Sequence, residues 1–535
     1  MATFENVDPN SGFSSQTKIY HSLRPPISLP PTTTPFSLPD YVFSLLPRPP
    51  SSAALIDAST RRRIPLHHLP HLVQTLASNL RRKYHLSKND VAFVLSPNTI
   101  HTPILYLSLF SLGTVVSPSN PLTSDSDVSR QIHVSKPAIA FATSEIASRI
   151  SLPAALRERT ILLDSPDFDS LLQPCDEFVR SEVFQDDAAA ILYSSGTTGR
   201  VKGVELTHRN FVAAIAGVRA ARAVRSFPAV TLCTVPLFHV YGFLLCIREV
   251  ALGGSVVVAA GRSLESILGA VEEFKVTHLA VAPPLVAAMM KSAVVDKYDL
   301  RSLEAVLCGG APLAISVFER FRQRFPNIYI MQAYGLTETT AGITRTVGVN
   351  ESEVRGANGR LMSNCQAKIV DPVTGYVGDK EATAAMIDCE GWLRTGDVCY
   401  FDNEGFLFCV DRMKELIKYK GYQVAPAELE DLLLSHPAIL DAAVIPYAQL
   451  LRCSFLFYLL SYPDEDAGQL PAAFVVRQAG STINESQIMD FVAQQVAPYK
   501  KIRRVFYVDS IPKNAPGKIL RKELIKLASK LASKL

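Results

Sequence analysis

At 535 residues, with 48% hydrophobic and 19% charged side chains, the chain exceeds a usual single domain and carries ample core material, which excludes a small module and a disordered chain. A formal net charge of +4 is too weak to specify nucleic acid, yet it suits anionic substrates such as nucleotides. No apolar run reaches the roughly 18 to 20 residues of a membrane span, and the nine scattered cysteines, without a C-x-x-C pair, read as reduced thiols.

The opening MATFENVDPNSGF lacks a charged-then-apolar signal pattern, so secretion is disfavoured. Residues 24–50 are dense in proline and are expected to run extended over the surface rather than as helix. Arg61 to Arg63 read as a solvated loop. Then strand and helix alternate. DVAFVLSPN is a buried strand, PILYLSLFSLG a helix closed by Gly113, and TVVSPSNP and PAIAFATS are further strands. GSVVVAA, LESILGAVEEFKV and THLAVAPP repeat the rhythm. The alternation predicts parallel sheets covered by helices, with ligands at the carboxyl ends of strands.

After Gly391 the texture shifts to turns and short strands, then to APAELEDLLLSHP, a helix with acidic residues near its start. A boundary near Asp411 divides a large domain, 1–410, from a strand–helix–strand α+β module, 411–535, marked by AAFVVRQ, NESQIMDFVAQQV and RRVFYVDSIP. No internal repeat appears. The closing KLASKLASKL ends in Ser533-Lys534-Leu535, which reads as a peroxisomal address and implies an import receptor as partner.

One stretch carries chemistry on its face. In ILYSSGTTGRVKGV, an apolar run leads into Ser194, Ser195, Gly196, Thr197, Thr198, Gly199 and Lys202. Hydroxyls, backbone N–H groups beside glycines and one ammonium can wrap a di- or triphosphate. The spacing is not that of a Walker loop, whose lysine follows directly on the second glycine. A plain glycine-rich turn is the alternative.

Four further motifs follow in order: QAYGLTET, GWLRTGD, DRMKELIKYKGYQVAPAELE and PKNAPGKILRKEL. Together the five resemble the adenylate-forming (acyl-activating) enzymes, in particular the plant peroxisomal 4-coumarate:CoA ligase-like branch, and the likeness covers nearly the whole chain. The resemblance implies an α/β N-terminal adenylation domain of parallel and mixed sheets with a small β-subdomain, followed by a small mobile C-terminal domain. It implies that a carboxylic acid, ATP and coenzyme A are the substrates and that Mg²⁺ assists. A fatty, jasmonate-precursor or hydroxycinnamic acid would be joined to AMP and then passed to CoA, feeding peroxisomal β-oxidation.

Residue by residue, the resemblance implies that Ser194 to Lys202 hold the β- and γ-phosphates and that Thr337 bonds the α-phosphate. Glu338 would hold Mg²⁺, Tyr334 would stack on adenine, Gln332 would be a further cofactor-binding residue, and Asp397 with Arg412 would hold ribose. His239, Tyr241, Gly310 and Gly335 would shape the acyl pocket, and Arg262 would meet the CoA nucleotide. Lys518 would reach the reacting carboxylate and α-phosphate, with Lys414 at the hinge. Lys418 and Gln423 would act in catalysis, with Lys420 and Gly421 facing CoA. One module cannot present both faces at once, so a rotation between half-reactions is implied.

Two places depart from the pattern. After Gly375 the chain lacks roughly twenty residues that such enzymes carry, with a GELW-x-RGP core, which bears on the sheet beneath Asp397. Ala448 to Tyr462, AQLLRCSFLFYLLSY, is an apolar insert in a surface loop. Its Cys, Ser, Phe, Leu and Tyr can all be encoded by pyrimidine-rich codons, as a translated intron tract would give. These departures leave a catalytically impaired nucleotide or acyl binder as the competing reading.

Overall fold

The computed structural model describes residues 6–47, 52–175, 178–194, 202–222, 225–259, 261, 263–370, 387–388, 390–419, 422–447, 469–514 and 517–532. The gap after Gly375, the insert 448–462, Ser195 to Thr198, Arg262, Lys420, Gly421 and Ser533 to Leu535 lie outside them.

Among the described residues, two large sheets build most of the large domain, beside a small one of Phe13–Ser14, Ile19–His21 and Gln366–Ala367. In the first, six strands lie in the order Lys202–Thr207, Ala188–Ser194, Val115–Ser119, Val91–Leu95, Ile139–Ala142 and Thr160–Leu162. All neighbours are parallel except Lys202–Thr207, which returns antiparallel on Ala188–Ser194. The second has nine strands, parallel through its centre and antiparallel at both ends. The helix His101–Leu112 stops at Gly113, which takes φ +73° as a left-handed cap where a side chain is disfavoured. Val91–Leu95 and Ile139–Ala142 are apolar at almost every position because helices cover both faces, so their sequences show no alternation.

The proline-rich segment is not wholly extended. Leu38–Ser44 is a helix, with Leu38 and Val42 at 0% exposure in the main core. Pro39 falls in the first turn, where its missing N–H is not needed, and Ser37 and Asp40 form a capping box. The backbone N–H of Leu38 donates to Nδ1 of the buried His208 at 3.1 Å.

In the C-terminal module, Ile439–Tyr447, Leu470–Arg477 and Arg504–Tyr507 form a three-stranded sheet. Alternate residues serve two cores. Ala442, Val444, Ala473 and Val475 face one, and Ala443, Ile445, Ala472 and Phe474 the other. Tyr447 pairs directly with Leu470, and residues 448–468 between them lie outside the described residues.

The module docks through the helix Pro426–Ser435, which packs on Ile315–Arg324 of the large domain. Ala314, at the N-cap of the latter, offers no capping side chain. Asp431 supplies it from across the interface, its Oδ1 accepting from Ser316 N at 3.0 Å and Ser316 Oγ at 2.7 Å. That is the donor an N-cap side chain ordinarily takes.

Candidate active site

A cavity of about 1020 Å³ lies where the large domain meets the C-terminal module. His239, Tyr241, Gly310, Gln332, Tyr334, Gly335, Asp397, Arg412 and Lys518 all line it. Residues spread over 280 positions of sequence are thus brought to one space, because the strand ends and the module's NAPGK turn converge there.

Asp397 opens a short strand and is nearly sealed, its side chain only 3% exposed. Tyr334 Oη donates to its Oδ2 at 2.7 Å and Arg412 Nε reaches Oδ1 at 3.1 Å. Burial raises the Asp397 pKa from its ordinary value, opposed by the Tyr334 hydrogen bond and by the Arg412 and Lys518 charges. Burial and the Asp397 charge together push the Tyr334 phenol upward, so it stays protonated and donates.

Lys518 follows Gly517, which adopts φ +87°. A Cβ there would stand 2.8 Å from Pro284 Cδ, so glycine permits the turn to lie against the large domain. Asn514 clamps the turn, its Oδ1 accepting from Lys518 N at 2.7 Å. Lys518 Nζ meets Glu415 Oε1 at 3.1 Å, and Glu415 Oε2 also takes Arg521 Nη1 at 3.2 Å. Burial lowers the Lys518 pKa, and Glu415 opposes the shift. Lys414 is pushed down to about 8 by burial and by the neighbouring charges of Lys518 and Arg412.

His239 caps the helix Val240–Ala251, its Nδ1 accepting from Tyr241 N at 3.3 Å. Burial pushes its pKa down to about 4, so it is neutral near pH 7. Tyr241 is anchored by its hydroxyl on Leu307 O at 2.6 Å. Gly335 sits at a bulge where a Cβ would fall 1.6 Å from Ala341 O, so no side chain fits.

Of the glycine- and hydroxyl-rich stretch Ser194 to Lys202, the two ends fall within the described residues. Ser194 and Lys202 are cross-strand partners, the last pair of their hairpin before its connection. The 3₁₀ turn Thr337–Thr339 packs on both strands, and Ser194 Oγ donates to Glu338 Oε1 at 3.2 Å. The donor set suits Mg²⁺, which takes one or two carboxylates plus substrate phosphates rather than an all-protein cage; among the described residues no cluster of three metal-binding side chains occurs.

Lys418 and Gln423 are not brought to the cavity. They pair across the hairpin formed by Ile417–Tyr419 and Tyr422–Val424, both exposed, with Lys418 N donating to Gln469 Oε1 at 3.0 Å. Sequence reasoning missed Glu415 and Asp431. Glu415 stands beside Lys414 in a charged run, and no spacing there tells a partner of Lys518 from a solvated carboxylate.

Residues 46–385 match the AMP-binding enzyme family and residues 458–518 match the AMP-binding enzyme C-terminal domain. The chain is 46% identical over 560 aligned positions to 4-coumarate–CoA ligase-like 9 of Arabidopsis thaliana, covering 98% of this chain and 97% of that protein. It is 41% identical to peroxisomal OPC-8:0-CoA ligase 1 of the same plant, over 98% and 99% of the two chains. Among solved structures, an anthranilate CoA ligase in complex with anthranoyl-AMP superposes with TM-score 0.80 at 21% identity, covering 95% of this chain and 99% of that one. ATP-bound MatB from Rhodopseudomonas palustris gives 0.79 at 23% identity, over 92% and 99%. Likeness at such identities speaks to the fold.

Proposed function

From the premise that this chain belongs to the AMP-binding enzyme family, we propose how its site carries out the reaction and on which acids. The chain is an AMP-forming acid–CoA ligase of the 4-coumarate:CoA ligase-like kind. In the first step a substrate carboxylate oxygen attacks the α-phosphorus of ATP, the bond to the bridging oxygen breaks, and pyrophosphate leaves. In the second the CoA thiol attacks the acyl carbonyl and AMP departs.

The observation that carries the assignment is the convergence of Asp397, held by Tyr334 and Arg412, with Lys518 and His239 on one cavity. Asp397 accepts the ribose hydroxyls, its two oxygens suited to two bonds at once. Lys518 lies between two approaching anions and lowers the repulsion between them. His239, neutral, walls the reacting carboxylate without adding charge. Ser194 to Lys202 and Thr337 hold the phosphates, with Tyr334 at adenine and Gln332 a further nucleotide-site residue. Glu338 would hold Mg²⁺, which would supply charge neutralisation on the phosphates.

The second step uses the other face of the module, with Lys418 and Gln423 turning in and Lys420, Gly421 and Arg262 meeting CoA. The exposed position of Lys418 and Gln423, while Lys518 lines the cavity, fits a module docked for adenylation. The acids are fatty, jasmonate-precursor or hydroxycinnamic; in support, one relative is named for 4-coumarate, a hydroxycinnamic acid, and another for OPC-8:0. A peroxisomal role in β-oxidation rests on the peroxisomal relative and on the tripeptide Ser533-Lys534-Leu535.

Carboxylate-dependent exchange of pyrophosphate into ATP, followed by CoA-dependent thioester formation, tests the assignment. Absence of exchange with every acid would favour the competing reading, a silent binder. That reading draws on the residues missing after Gly375, and the alignment with the first Arabidopsis relative is longer than this chain's 535 residues. Sequencing the transcript across Gly375 and across Tyr447 to Pro463 decides whether the chain as written is the one the cell makes.

A further inference from the structure

Two arginines stand in an otherwise apolar part of the cavity. Along the helix Val240–Ala251, Tyr241, Leu244, Leu245 and Arg248 share one face at i, i+3, i+4 and i+7, and all four line the cavity. His239 caps the start of that helix, so Arg248 lies roughly 13 Å further along its axis at ~1.5 Å per residue. Arg345 ends the strand Ala341–Arg345, which packs on the same helix, and it lines the same cavity with Met331.

Their charge balance differs. Arg248 donates through Nε and Nη2 to Glu249 Oε1 at 3.0 and 2.7 Å, and Thr231 Oγ1 donates to Glu249 Oε2 at 3.2 Å, a closed neutral pair. Arg345 makes no ion pair among the described residues, and its guanidinium contact is Met331 Sδ, 4.0 Å from Nη2. Arg24, which donates to the Arg345 carbonyl at 3.0 Å, is itself paired with Glu351 at 2.8 Å. The charged and titratable groups facing Arg345 are thus Arg248 with its partner Glu249, Arg24 with its partner Glu351, Tyr241 and Tyr329, so each neighbouring cation already has its own anion. Burial and the Arg248 charge press Arg345 down to about 10, so it remains a cation near pH 7. A cation enclosed in protein without a counter-ion is unfavourable unless something else pairs with it. Arg345 keeps part of its surface accessible, and it lines the cavity.

We infer that this end of the cavity is a subsite for a distal oxygen acceptor: the activated acid carries a second carboxylate, or a carbonyl, remote from its reacting carboxyl, and Arg345 selects for it. The inference rests on the ligase reading above. Taken along the helix from His239 to Arg248, the arginine that neighbours Arg345, a span of roughly 13 Å at about 1.3 Å advance per carbon for ~1.5 Å bonds corresponds to about ten carbons. Guanidinium pairs with carboxylate through two parallel bonds, so a diacid is the best occupant and an oxo acid the next.

The test compares decanoate, decanedioate and 9-oxodecanoate on the full chain and on Arg345→Met and Arg345→Lys, by pyrophosphate exchange and by acyl-CoA formation. The expected result is kcat/KM at least tenfold higher for the diacid or the oxo acid than for decanoate. Arg345→Met loses that preference through KM and keeps or gains activity on decanoate, which shows that it folds. Arg345→Lys retains part of the preference. Equal use of the three acids by the unaltered enzyme, or a ratio unchanged within twofold in Arg345→Met, overturns the subsite while leaving the ligase reading intact. If no acid supports exchange, the ligase reading fails, and thermal shift decides the subsite separately. A larger shift with decanedioate than with decanoate, abolished in Arg345→Met, supports it; equal shifts overturn it.

Discussion

Lys518 Nζ lies 3.1 Å from Glu415 Oε1, so the lysine enters the cavity already holding a carboxylate. Glu415 also pairs with Arg521, whose Nη2 bonds both oxygens of the buried Glu430 at 2.8 and 2.9 Å. The lysine is therefore aimed by a chain of charge pairs within its own module, and under the proposed function substrate anions would compete with Glu415 for it. Lys518→Ala is expected to lower pyrophosphate exchange by 100-fold or more, the scale of losing one charge-stabilising donor. Thioester formation from supplied acyl-adenylate should stay largely intact. Equal loss of both steps would remove Lys518 from adenylation.

Glu415→Gln tests the same pair through pH. Burial already lowers the Lys518 pKa, and Glu415 is what opposes that shift. Activity that needs the ammonium falls as pH rises through the lysine pKa, and without Glu415 that pKa drops further. The alkaline limb of pyrophosphate exchange is expected to move to lower pH in Glu415→Gln, with the rate near pH 6 less affected. An unmoved limb would show that another group sets it.

Removing the Tyr334 hydroxyl isolates one bond to Asp397. A net hydrogen bond of this kind contributes about 0.5 to 1.5 kcal/mol, more when the acceptor is charged. Tyr334→Phe is expected to raise KM for ATP several-fold while leaving KM for the acid unchanged. Asp397→Asn, which keeps the volume and removes the charge paired with Arg412, should raise it tenfold or more. Steady-state kinetics with each substrate varied in turn separates the two; a rise confined to the acid would refute the ribose assignment.

His208 gives the fold an acid-sensitive point. Its exposure is 0%, its Nδ1 accepts from Leu38 N, and burial pushes its pKa down to about 4 from 6.5. The unfolded chain takes up this proton below pH 6.5 while the folded chain does not until about pH 4. Stability present above pH 6.5 is therefore lost as pH falls toward 4, by roughly 3 kcal/mol from this group at ~1.4 kcal/mol per pKa unit. His208→Asn, which preserves an acceptor for Leu38, should make urea stability less steep between pH 6.5 and 4.5. An identical slope would mean that other groups carry the acid limb.

Local pattern made part of this molecule readable. The helix Leu264–Phe274 and the strands on either side, Ser255–Val258 and His278–Val281, declare themselves by apolar period and by length. The Leu38–Ser44 helix did not, because proline density hid the fact that Pro39 occupies a first-turn position where it is tolerated. Arg345 and Asp431 were illegible for another reason. Their roles depend on what faces them across the fold, Arg248 from a helix nearly a hundred positions earlier and Ser316 from the other domain. A single sequence records residue types along the chain but not which of them lack a counter-charge or lend a cap at a distance.

The cap that Asp431 lends to Ser316 has a consequence for observing the enzyme at work. The Ser316 amide is protected by a residue of the opposite domain, so its exchange with solvent deuterium reports where that domain is, with no probe attached. While the module is seated the amide exchanges slowly. A swing of the module, as the proposed second step requires, would leave the first turn of the helix Ile315–Arg324 with an open donor, and exchange would accelerate. Deuterium uptake of a peptide containing Ser316, followed with ATP and acid and then with CoA, converts a helix end into a clock for the domain's alternation.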